Sequence, residues 1–210
     1  MSREKTIIYI ARALSIIFTP FYLPVLGLIV LFTLSYLSLL PLAYRLEVLA
    51  VVYVFTVLMP TYMIHFYRKY QGWTTMQIGV KERRMVPYVI SILCYLACVA
   101  LLEYRNIFHF VSAVVVAALM VQTICAIINV WWKISTHTAA VGGVAGALFV
   151  FAEIFTFNPV WWLCLVITVA GIVGTARIIL RQHTTGQVVA GFLIGFLCAA
   201  AAIILYRPIA

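Results

Sequence analysis

Three short polar stretches interrupt an otherwise apolar chain, and their residues are of types that bind anions and move protons. WKISTHT at 132–138 sets Lys133, Ser135, Thr136 and His137 between two apolar runs. ARIILRQHTTGQ at 176–187 carries Arg177, Arg181, His183 and Gln187, and GVKERRMVPY at 79–88 carries Lys81, Arg83 and Arg84 ahead of Pro87. Ser135 or Thr136 is placed to cap a helix that begins there, with His137 in its first turn. A helix N-terminus offers unpaired N–H groups and partial positive charge, a seat for phosphate. Arg177 and His183 are six residues apart, so they face different ways on one unbroken helix and converge only if it ends between them, with Thr184 or Thr185 capping the next. His183 and Gln187 are four apart and touch if that next helix includes both. A set of cations with Glu82 as its one nearby carboxylate suits an anion. A phosphate ester best rewards forked arginines and helix-end amides together.

The elements that carry these stretches are membrane helices. Of 210 residues 66% are hydrophobic and 9% charged, against about 25% charged in soluble domains. Crossing a hydrocarbon core takes about 20 helical residues, and runs of that kind fall near 18–40, 45–67, 86–104, 107–132, 136–155, 159–180 and 185–207. Short alternating segments, the mark of a membrane barrel, are absent, so the spans are helices. The expected fold is all-α: one polytopic bundle of six to seven transmembrane helices in a single domain, 1–210. Residues 1–17 are expected to give an interfacial N-terminal helix, and 80–190 the motif-bearing core. The N-terminal run has an arginine inside it and no small-x-small cleavage site, so no removable signal is expected. Cys94, Cys98, Cys125, Cys164 and Cys198 all fall inside spans and read as packing residues rather than a disulfide framework.

The chain contains no aspartate and only five glutamates. Enzymes that hold magnesium against a diphosphate need several oxygen ligands, so no metal set and no cofactor is expected. A carboxylate proton relay is also disfavoured, since only Glu153 falls plausibly within a span. The three polar stretches follow the second, fourth and sixth spans, which puts them on the face of the N-terminus. Eleven of the fourteen basic residues lie there, and only Arg45, Arg105 and Arg207 lie opposite. The positive-inside rule then makes that face cytoplasmic, with a bacterial cytoplasmic membrane as the expected location. Six of the eleven belong to the polar stretches themselves, which leaves five against three for orientation.

In these residues the chain resembles the type 2 phosphatidic acid phosphatase superfamily, whose three motifs run K-x6-R-P, P-S-G-H and S-R-x5-H-x3-D. ISTH at 134–137 matches the second in Ser135 and His137, with threonine in place of glycine. ARIILRQHTTGQ keeps the third motif's spacing in Arg177 and His183, with Ala176 for its serine and Gln187 for its aspartate. Lys81, Arg84 and Pro87 have the residue types of the first motif without its spacing. The family usually has six spans and none between its first two motifs, whereas two are counted there in this chain.

The resemblance implies metal-independent hydrolysis of a lipid phosphate or diphosphate. His183 would be the nucleophile that becomes a phosphohistidine, His137 the acid and base, and Gln187 would stand where a carboxylate orients the nucleophile. Arg177, Lys81, Arg84, Ser135, Thr136 and Lys133 would hold phosphoryl oxygens, although Lys133 and Arg181 fit interfacial anchors equally well. The expected partners are a phosphorylated lipid and the surrounding membrane lipids, with no nucleic acid and no obligatory protein partner. A lipid or sugar phosphotransferase, or an anionic-lipid binding or transport protein without turnover, are the alternatives. Gly142, Gly143, Gly146, Gly191 and Gly195 lie inside spans and read as helix-packing positions.

Overall fold

The computed structural model describes residues 3–72 and 81–206, and in the helix that begins at Lys81 the side chains from Met85 onward. Eight helices follow one another: α1 Arg3–Ile17, α2 Leu23–Leu34, α3 Leu42–Tyr70, α4 Lys81–Tyr104, α5 His109–Trp131, α6 Thr136–Phe155, α7 Val160–Ile179 and α8 Thr185–Tyr206. No strand occurs among the described residues. Helix α3 is wound as a π turn over Val54–Leu58. The turn ends two residues before Pro60, which has no N–H to donate to the regular ladder.

Helix α3, the stretch Met85–Tyr104 of α4, and α5, α6, α7 and α8 are each long and apolar enough to cross a membrane, six among the described residues. The chain is thus a helical membrane bundle. The expected span at 18–40 is not one helix. Pro20 and Pro24 punctuate its start, and at its end the Ser35 hydroxyl accepts from Leu37 N at 3.2 Å and opens a 3₁₀ turn, Tyr36–Leu39. What remains, α2, has 12 residues, or about 18 Å at 1.5 Å per residue, short of a ~30 Å hydrocarbon core. The stretch still carries the chain from one end of the bundle to the other. Ser15 lies beside the start of α6, whereas the Tyr36 ring stands 5.4 Å from that of Phe155 at its end.

Helices α6 and α8 make the closest packing in the bundle, and glycines on both sides allow it. A β-carbon on Gly142 or Gly146 would stand 2.1 or 2.2 Å from the carbonyl oxygens of Phe192 and Phe196. One on Gly195 would stand 1.8 Å from the carbonyl oxygen of Ala139. Such small-residue seams let backbones approach where lipid supplies no hydrophobic drive. They lock together the two helices whose first turns carry His137 and Gln187. The main core joins α2 to α6 and α8, while Val141 and Val173 form a second cluster around Phe18. Cys94, Cys98 and Cys125 are buried as packing residues, but Cys164 faces outward.

The N-terminal helix packs along α7 and buries Ala11 against it.

Candidate active site

The end of α7 and the start of α8 are built so that Arg177 and His183 turn toward the same place. Helix α7 stops in a Schellman arrangement: Gln182 N donates to Arg177 O at 3.1 Å and Arg181 N to Ile178 O at 2.9 Å. Arg181 takes the left-handed conformation this ending requires, with φ of 53°, and its side chain is exposed. Helix α8 then opens on a capping box. Gln187 N donates to Thr184 Oγ1 at 3.4 Å, and Thr184 N donates to Gln187 Oε1 at 3.2 Å. The same Oε1 lies 3.2 Å from His183 Nδ1. An atom that accepts the Thr184 N–H is the amide oxygen, so His183 must carry its proton on Nδ1 to meet it. The ring's lone pair is thereby on Nε2.

The first polar stretch is fixed beside this turn. Ser135 N donates to Gln187 O at 3.4 Å. The absent side chain of Gly191 lets the chains close, since a β-carbon there would stand 2.6 Å from both Ser135 O and Thr138 Oγ1. Ser135 is the N-cap of α6, fully buried, accepting from Thr138 N at 3.5 Å. Its hydroxyl thus accepts at the helix end, which holds His137 in the first turn. Thr136 is half-buried and lines an apolar cleft, while Lys133 is exposed at the mouth of the stretch.

His137 and Arg177 meet through a residue absent from the sequence reading. His137 Nε2 lies 3.2 Å from Ser15 O, and Arg177 Nη1 donates to Ser15 Oγ at 3.0 Å. Arg177 and His183 both stand within electrostatic reach of the His137 ring. His137 Nδ1 and Arg177 Nε are buried and have no hydrogen-bond partner among the described residues. Nothing local marks Ser15, a lone hydroxyl in ARALSIIF, because its partners lie 122 and 162 residues away. A second buried contact, also without a local sequence signal, lies nearby: Asn129 Nδ2 donates to Tyr88 Oη, tying α4 to the end of α5 below the first stretch. The side chains of Lys81 and Arg84 lie outside the described residues.

The fold and this pocket define a polytopic helical membrane protein with two histidines and an arginine gathered at one end of the bundle. Residues 129–209 match the family model of the PAP2 superfamily. That segment holds the first and second polar stretches and helices α6 to α8, and over it the chain is similar to the type 2 phosphatidic acid phosphatase superfamily. The superfamily's members are generally phosphatases, which supports a phosphoric-ester hydrolase here. The match begins after the stretch at 79–88, so it does not reach Lys81 and Arg84. Neither the curated proteins nor the solved structures gave a match.

Proposed function

We propose that the protein hydrolyses a lipid phosphate or diphosphate through a phosphohistidine on His183, without a metal. The observation that carries this reading is the double use of Gln187 Oε1, which accepts from Thr184 N and faces His183 Nδ1. It holds the ring in the tautomer a nucleophile needs, with the lone pair on Nε2. In the first step that lone pair forms the N–P bond while the bond from phosphorus to the lipid-side oxygen breaks. His137 gives this oxygen its proton. In the second step His137 takes a proton from water, the water oxygen bonds to phosphorus, and the N–P bond breaks. The net change is one water consumed, with the lipid alcohol, or the lipid monophosphate from a diphosphate, released beside inorganic phosphate.

Arg177 sits where its fork can hold the phosphoryl oxygens as charge spreads over them, with Lys81, Arg84 and Lys133 as the further cations of the same end. Ser135 contributes through the helix start it caps, and Thr136 stands at the border between polar pocket and apolar cleft. That cleft supports a lipid rather than a soluble ester. It follows one stripe of α6 through Thr136, Ala140, Gly143, Ala147, Phe151 and Phe155, walled by α2 on its other side. Nineteen residue steps at 1.5 Å make it roughly 28 Å long, the depth of a hydrocarbon core. The basic residues at the pocket end favour a cytoplasmic face in a bacterial membrane.

Phosphate release by the purified protein from undecaprenyl diphosphate, phosphatidylglycerol phosphate and phosphatidate tests the reading. Release from one of them is expected, and His183→Ala should abolish it. Transfer of the phosphoryl group to an added lipid or sugar without free phosphate would make the protein a phosphotransferase. Binding with no release from any of the three would leave an anionic-lipid binding protein, the outcome that glutamine in place of aspartate at 187 favours. Vanadate added to sealed vesicles of both orientations reports the face: inhibition confined to inside-out vesicles is expected.

A further inference from the structure

We propose that Ser15, from the N-terminal helix, is a positioning residue of the phosphate pocket, fixing the Arg177 guanidinium and the His137 ring in the arrangement that takes a phosphoryl group. The inference rests on reading that pocket as a phosphate site. A single residue meets both side chains: its carbonyl oxygen lies 3.2 Å from His137 Nε2, and its hydroxyl accepts from Arg177 Nη1 at 3.0 Å. The two partners come from different helices, α6 and α7, so neither contact is a by-product of one helix's own geometry.

The approach of α1 is built for it. Ala11 and Ala176 are 2% and 3% exposed, and they line the same contact between α1 and α7. Ala176 immediately precedes Arg177, and Phe18 anchors the far side of Ser15 in the Val141–Val173 cluster. Having accepted from Arg177, the Ser15 hydroxyl keeps its own proton to donate. The carbonyl of Ser15 takes the N–H of His137 Nε2, so a cationic ring has its second proton on Nδ1, the atom that lacks a partner among the described residues. Arg177 Nε is in the same condition. Ser15 therefore occupies one donor of each side chain and leaves Arg177 Nε, and His137 Nδ1 when the ring is protonated, for an anion.

The test uses the full-length protein and orthovanadate as the probe, its affinity read from the vanadate-induced shift in melting temperature. Ser15→Ala should weaken vanadate binding about tenfold, the loss of one hydrogen bond to a charged group. Its melting temperature without vanadate should fall by no more than the loss of that one hydrogen bond accounts for, and Ser15→Thr, which keeps the hydroxyl, should restore binding. With a hydrolysed lipid phosphate, Ser15→Ala should raise KM more than it lowers kcat. Vanadate bound by Ser15→Ala as tightly as by the wild type, or more tightly, overturns the proposal, because Ser15 would then be idle or a competitor of the anion. A weakening that Ser15→Thr does not relieve also counts against it, as damage to helix packing. Should Ser15→Ala not fold, Ser15→Cys gives the same comparison, and unweakened binding there is equally fatal. A wild type that binds vanadate in this Ser15-dependent way yet releases no phosphate from any lipid refutes the hydrolase and leaves the role of Ser15 standing.

Discussion

A β-carbon on Gly195 would stand 1.8 Å from the carbonyl oxygen of Ala139, two residues on from His137. The α6–α8 seam therefore has no room for a methyl group, and the two helices that carry the first and second polar stretches would have to separate to admit one. Gly195→Ala should cost about 1–3 kcal/mol through overpacking. Because the separation also pulls Gln187 O from Ser135 N, activity should fall further than stability. Gly171, on α7, has nothing within 4 Å of the same construction. Gly171→Ala should instead stabilise by about 0.5–1 kcal/mol, the backbone-entropy gain of a helix interior. Thermal melts of the two variants beside the wild type check the pair.

Arg181 ends α7 in the left-handed region, φ 53°, a conformation that costs a residue with a β-carbon about 1–2 kcal/mol. Its side chain is exposed, and its backbone N–H completes the helix ending. Arg181→Gly is expected to raise the melting temperature and to leave phosphate release intact. A loss of release with a raised melting temperature would show that the guanidinium, and not the turn, is what this position supplies.

The legible parts of the site were those encoded by short spacings. The break between Arg177 and His183, the cap at Ser135 and the His183–Gln187 contact all follow from residues within six positions of one another, where helix geometry decides who meets whom. The glycine seam was legible for the same reason, as Gly142 and Gly146, and Gly191 and Gly195, are each one turn apart. Hydropathy misjudged 18–40, because it sums apolar residues and is blind to what Pro20, Pro24 and Ser35 do to the backbone. Ser15 was out of reach, since a contact across 162 residues leaves no periodic trace.

Phosphate release should survive EDTA. Magnesium needs oxygen ligands, the chain has no aspartate, and three of its five glutamates are badly placed to supply them. Glu47 pairs with Arg105 at 2.6 Å, and Glu103 accepts from Tyr206, both at the end of the bundle away from His137. Glu153 is exposed two residues before α6 ends. Assays with chelator and with added magnesium should agree. Activity that appears only on adding metal would require ligands other than these and would sink the proposed route.

The most discriminating substitution is at Gln187, whose Oε1 lies 3.2 Å from both His183 Nδ1 and Thr184 N. A neutral carbonyl holds the tautomer as well as a carboxylate does, but it brings no full charge to favour the cation that forms on the ring as Nε2 bonds to phosphorus. The wild type should therefore turn over slowly. Gln187→Glu keeps the length of the side chain and both accepted hydrogen bonds while adding the charge, so it should raise kcat. Gln187→Asp is one carbon shorter; where it still reaches Nδ1 it should act likewise, and otherwise it should lose both the ring contact and the capping box. Gln187→Leu removes the acceptor altogether and should abolish most turnover, with a loss of stability of about 1 kcal/mol from the broken cap. A kcat that is equal in Gln187→Glu and Gln187→Leu would mean that this side chain only caps α8, and that His183 takes its tautomer from elsewhere.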